Sequence, residues 1–187
     1  MVQLTQEQIK KNKAIFLKLN AEHKIIPDEL LAFLGENFFT APASTATSLH
    51  NACEGGLVDD LLTVAKYANK INTILPAHLQ QPAISVHRVS LLSGIGKTFM
   101  YVPNANEYSV RNGKIYDFAP NTVAMRVGER SAYYALQYMK LTEDEYQALI
   151  NFDKPEEDIQ VKWFGSSLTT ILKQAVELAI IDEKRRV

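Results

Sequence analysis

Hydrophobic residues recur along most of this chain at three- and four-residue steps, the spacing that lines up one face of an α-helix. Ile9, Phe16 and Leu19 give a first helix a thin apolar stripe, with Lys10, Lys11, Lys13 and Lys18 outside it. Thr5 at its start and Gln8 three residues on form a capping box, which predicts a helix from there to about Leu19. Pro27-Asp28-Glu29 opens a second helix, reaching about Gly35, with proline and acids in its first turn. Glu36 to Ser48 reads as a connector, because Pro42 forbids a continuous helix.

Gly55-Gly56 is a break, after which Leu57, Leu61, Val64, Ala65, Ala68 and Ile71 make a clean helical stripe. A proline-bounded loop, PAHLQQP over 76–82, precedes a helix predicted over 83–98. That helix would carry Ile84, His87, Leu91, Gly94 and Ile95 on one face, and the chain is read as organised around it. From Phe99 to Phe118 the pattern becomes weakly alternating, at Tyr101-Val102 and again at Tyr108 to Val110. Arg111-Asn112-Gly113-Lys114 then signals a hairpin turn before Ile115-Tyr116. Helices return at about 128–139 and, behind the N-cap Thr142, over 143–151. Pro155 marks a loop, Trp163 leads into the last helix, and Leu168, Leu172, Ala175 and Ala179 form that helix's inner face. The expected fold is all-α, a bundle of about seven helices with one small inserted β-hairpin. It is read as a single domain over 1–187, with a helical extension (1–35) before a core (36–185).

Composition narrows the picture. The 187 residues are 47% hydrophobic, enough for one good core. Twenty basic against 21 acidic residues provide no global field for nucleic acid or a membrane surface. The basic run Lys184-Arg185-Arg186 is read as a solvated helix tail. A single cysteine, Cys53, cannot form an internal disulfide. No signal-peptide-like apolar core or membrane-length run stands out, so a soluble cytoplasmic protein is expected.

The candidate chemistry begins at Asp60. It lies on the apolar stripe between Leu57 and Val64, whereas Asp59 points away; an acid there needs a partner or a proton. Around it stand FFTAPAST, then His50 and EGGL, then SVHRVSLLSGIGK, GERSAYY, LTEDEYQAL and LTTILKQAVELA. In this order, over roughly 36–185, these segments resemble the HD-domain phosphohydrolases, especially the small helical versions of bacteria and tailed bacteriophages. The resemblance implies a cytoplasmic location in a bacterium or infected host. It also implies a divalent metal in active members, held by a histidine after Gly-Gly-Leu, an adjacent His-Asp pair and an aspartate on the closing helix. Carried onto this chain, those positions are Asp60, Ser93 with Gly94, and Val176. Two auxiliary histidine positions fall on Val127 and near Phe152 or Asp153.

Hard or borderline metals need several converging nitrogen or oxygen donors, and Gly94 and Val176 offer none from their side chains. No metal or other cofactor is therefore expected, and no catalytic residue is assigned. The expectation is an HD-like pseudoenzyme that works as a binding, structural or regulatory module, through a protein partner or self-association. His50, Asp60, His87, Lys97 and Arg130 form its candidate remnant pocket. One alternative is nucleotide or phosphate binding there; another is weak metal-dependent phosphohydrolysis. A histidine beside Asp60 is more simply read as satisfying the buried acid, and Lys97 and Arg130 as pairing with Glu129 or Asp60.

Three further patterns are set aside. Gly94-Ile95-Gly96-Lys97-Thr98 imitates the end of a phosphate-binding loop, but Leu91 stands where that motif needs its first glycine. Cys53 near His50 lacks an orienting Asn or Asp, so an inert thiol is expected. Phe38-Phe39 and Trp163-Phe164 read as packing aromatics; Tyr133, Tyr134 and Tyr138 are compatible with a contact surface.

Overall fold

The structure is a computed structural model and describes residues 3–155 and 165–185. It is mostly helical, with one small antiparallel sheet. In chain order come α1 (Gln6–His23), α2 (Asp28–Thr40), α3 (Gly56–Ile74) and α4 (Ala83–Leu92). A single 3-10 turn (Ile95–Lys97), β1 (Tyr101–Pro103), α5 (Glu107–Arg111) and β2 (Tyr116–Phe118) follow. Then come α6 (Val127–Leu136), α7 (Glu143–Asn151) and α8 (Ser167–Arg185).

Local signals set most of the helix starts. Thr5 and Thr142 both cap through their hydroxyls, and Gln8 and Glu145 return the bond to the cap N–H. Both helices begin where the sequence predicts. α1 outruns the expected end by a turn and stops at Lys24, which takes a left-handed conformation. α2 does not end at Gly35: that glycine, at φ 58°, kinks the helix, which resumes to Thr40. Phe38 and Phe39 can then pack edge-on against Phe16, at 5.1 and 6.0 Å between ring centres.

The hub is α3 rather than the segment 83–98. α3 lies against α1, α2, α4 and α8, and buries Leu57, Leu61, Val64, Ala65 and Ala68. α1 and α2 add Phe16, Leu30 and Leu34 to the same core, so these two helices are part of it. α8 faces α3 with Leu168, Leu172, Ala175 and Ala179, the predicted inner face. The expectation at Trp163 and Phe164 lies outside the described residues.

Segment 83–98 is not one helix. α4 stops at Leu92, and Ser93 and Gly94 lead into the 3-10 turn. Its buried positions are Val86, Val89, Ser90, Leu91 and Leu92, with Ile84 and His87 only partly buried. Gly96 fixes the next contact: a Cβ there would lie 2.8 Å from the Val127 carbonyl oxygen and 2.9 Å from Arg130 Cβ. Only glycine lets α6 approach so closely. Ser131 locks that approach, donating to the Ser93 carbonyl at 2.9 Å and accepting from the Gly96 N–H at 3.0 Å.

The predicted hairpin exists, but its turn does not. β1 and β2 pair antiparallel, Tyr101 opposite Phe118 and Pro103 opposite Tyr116. Between them, Tyr108 to Val110 coil into α5, which Asn106 caps, so Asn112-Gly113 closes a helix instead of joining two strands. Two buried asparagines invisible to a hydrophobicity pattern close other turns. Asn20 brackets Ile26 with its side-chain amide, and Asn72 does the same to Gln81.

Candidate functional site

Asp60 sits one turn into α3, buried at 7% exposure. It borders a cavity of about 180 Å³ shared with His50, Ser93, Gly94, Lys97, Val127, Phe152, Asp153 and Val176. Each wall arrives from a different part of the fold. His50 comes from the loop before α3; Ser93 and Gly94 from the end of α4; Lys97 from the 3-10 turn. Val127 opens α6, Phe152 and Asp153 follow α7, and Val176 lies on α8.

Of the five residues assigned to a remnant pocket, three meet here and two do not. His50, Asp60 and Lys97 line the cavity. His87 instead stacks on the His23 ring at 5.0 Å between centres and contacts the Asn69 amide at 3.2 Å. Arg130 turns away, donating through Nη2 to the Val123 carbonyl and lining a separate cleft beside the β-hairpin. It pairs with neither Asp60 nor Glu129, whose carboxylate lies 3.6 Å from Lys154 Nζ. Asp153 is the acidic wall that the sequence placed only by analogy.

The electrostatics of the cavity follow from burial. His50 Nε2 lies 3.7 Å from Asp60 Oδ2, too long for a hydrogen bond. Burial, helped by the positive charge of Lys97, lowers the His50 imidazole to about 4, so it is neutral near pH 7. Burial likewise lowers the Lys97 ammonium from its ordinary value, while Asp60 and Asp153 both favour its charged form. Asp153 accepts the Gly128 N–H through Oδ2 at 3.1 Å, and among the described residues its buried Oδ1 has no hydrogen-bond partner. Cys53 is buried, and burial pushes its thiol up, away from the thiolate a nucleophile needs.

A divalent metal does not fit these residues. Among the described residues no three His, Cys, Asp or Glu side chains stand together as a metal-holding group. The Ser93 hydroxyl is spent on the Ser90 carbonyl at 2.9 Å. At Gly94, a Cβ would stand 2.9 Å from Leu57 Cδ1 and 3.1 Å from Leu61 Cδ2, so leucine methyls fill the space a ligand side chain would need. Val176 adds a hydrocarbon wall from α8. Among the described residues no helix is long and apolar enough to cross a membrane. No family model, curated protein or solved structure matches this chain.

Proposed function

We propose that this protein is an HD-like module without hydrolytic chemistry, which acts through what it binds, in a structural or regulatory role. The reading rests on one observation: the lysine Lys97 shares a single small cavity with the carboxylates of Asp60 and Asp153. A cation built into the chain supplies the positive charge that a metal would otherwise bring to those carboxylates. With that charge in place, the remaining walls, Gly94 and Val176, serve packing.

The cavity volume weighs against its use for nucleotides. About 180 Å³ is well below the ~300–1,000 Å³ of typical ligand pockets, and two carboxylates face any incoming phosphate. Binding would therefore take place on outer surfaces, with a protein partner or a second copy as the occupant.

Elemental analysis and a phosphoester panel test the proposal together. Purified protein should carry no stoichiometric Mn, Fe, Zn or Mg, and millimolar Mn²⁺ should neither raise the thermal midpoint nor produce turnover. Hydrolysis that disappears in Asp60→Ala would replace this reading with that of a working phosphohydrolase. Stabilisation by a nucleotide, lost in Lys97→Met, would replace it with that of a nucleotide-binding protein.

A further inference from the structure

A second and larger concavity lies on the far side of Val127, which borders both. It is a cleft of about 810 Å³, within the ~300–1,000 Å³ range of small-molecule sites. The hairpin supplies Tyr101 and Phe118, the segment before α6 supplies Val123, Met125 and Arg126, and α6 supplies Arg130. Its lining is chiefly hydrocarbon and aromatic. Phe118 and Val123 stay largely exposed, at 58% and 66%, giving the cleft an unshielded apolar rim.

Arg130 gives this apolar cleft its chemistry. The residue is buried, at 9% exposure, and among the described residues its guanidinium donates from Nη2 to the Val123 carbonyl. Among the described residues its buried Nε has no hydrogen-bond partner, and no carboxylate pairs with the guanidinium. The acid nearest in sequence, Glu129, also lines the cleft, but it is engaged by Lys154 at 3.6 Å and by the Arg126 N–H at 3.4 Å. A guanidinium taken out of water without a counter-charge is costly, and an anion delivered by a ligand removes that cost. Guanidinium also recognises planar oxyanions through paired donors, a geometry an ammonium cannot offer.

We propose that the cleft between the hairpin and α6 binds a small organic anion, a carboxylate or phosphate monoester on an aromatic or apolar body. Arg130 receives the charged end, and Tyr101, Phe118 and Val123 cover the apolar end. The site stands independently of whether the smaller cavity ever held a metal.

Two fluorescent dyes with the same ring system separate charge from apolar contact: anilinonaphthalene sulfonate and its neutral relative phenylnaphthylamine. The sulfonate should saturate at one per chain and bind at least about tenfold more tightly than the neutral dye. Arg130→Met should erase that preference while keeping the affinity for the neutral dye. Because Arg130 is buried, Val123→Glu at the exposed rim serves as the second variant. It should weaken the sulfonate about tenfold and leave the thermal midpoint unchanged. Benzyl phosphate and benzoate, used as competitors of the sulfonate, report which oxyanion the site prefers. Equal affinity for both dyes in the unaltered protein overturns the proposal. So does an unchanged preference in Val123→Glu, or failure of the sulfonate to saturate.

Discussion

Among the described residues Glu145 and Asp60 are both buried carboxylates, and the two are handled in opposite ways. Between α4 and α7, Glu145 is fully buried and both its oxygens are used. Oε1 accepts from Arg88 Nη1 at 2.8 Å, and Oε2 accepts from the Thr142 N–H at 3.0 Å. Around Asp60 stand a neutral histidine at 3.7 Å, a lysine depressed by burial, an Asp153 Oδ1 with no hydrogen-bond partner among the described residues, and about 180 Å³ of space. The first is a direct ion pair in which both carboxylate oxygens accept hydrogen bonds. In the second, His50 and Asp60 stand farther apart than a hydrogen bond, and the charged groups border an open cavity. The contrast is between a carboxylate bonded directly to its cation and carboxylates that share an open cavity with theirs.

The largest expected effect falls on the tight pair. Glu145→Ala should cost about 3–5 kcal/mol, because it leaves the part-buried Arg88 guanidinium without its carboxylate and removes the return bond of the α7 capping box. Urea unfolding at neutral pH measures this. The double replacement Arg88→Met with Glu145→Leu should recover most of the loss, since removing both charges leaves neither unpaired. A loss below ~1 kcal/mol for the single variant would erase the distinction drawn here.

Next in size is acid sensitivity arising in the cavity. The folded-state pKa of His50, about 4, lies below its ordinary 6.5, so the unfolded chain binds more protons between those values. Stability should be constant with respect to this group above about 6.5, fall as the pH drops toward 4, and level off below that. The loss is on the order of 3 kcal/mol at most. His87, also lowered by burial and by His23, acts in the same direction. His50→Asn should therefore flatten most of the slope, and an unaltered slope would show that His50 is not held neutral.

The smallest effect is the most discriminating. Lys97→Met should cost roughly 1–2 kcal/mol at neutral pH, less than the Glu145 variant because the cavity is not tightly bonded. With the built-in cation removed, millimolar Mn²⁺ should raise the variant's thermal midpoint while leaving the unaltered protein's unchanged. A midpoint indifferent to both changes would mean that Lys97 does not balance these carboxylates.

The sequence by itself determined what depends on near neighbours along the chain. The capping boxes at Thr5 and Thr142 and the stripes of α3 and α8 involve residues within a turn or two of one another, so local propensity and period suffice. The burial of Asp60 was legible in the same way, because it shares a stripe with Leu57 and Val64. What only the tertiary structure decided depends on approach between distant segments. Gly96 and Ser131 bring α6 against the turn that ends α4; Gly35 bends α2 onward; α5 replaces a strand. His87 stacks on His23 instead of lining the cavity, and Arg130 bonds the Val123 carbonyl beside the cleft. Periodicity reports which face of a helix is apolar. It contains no term for the distance between two helices, and that distance decides which polar side chains share a pocket.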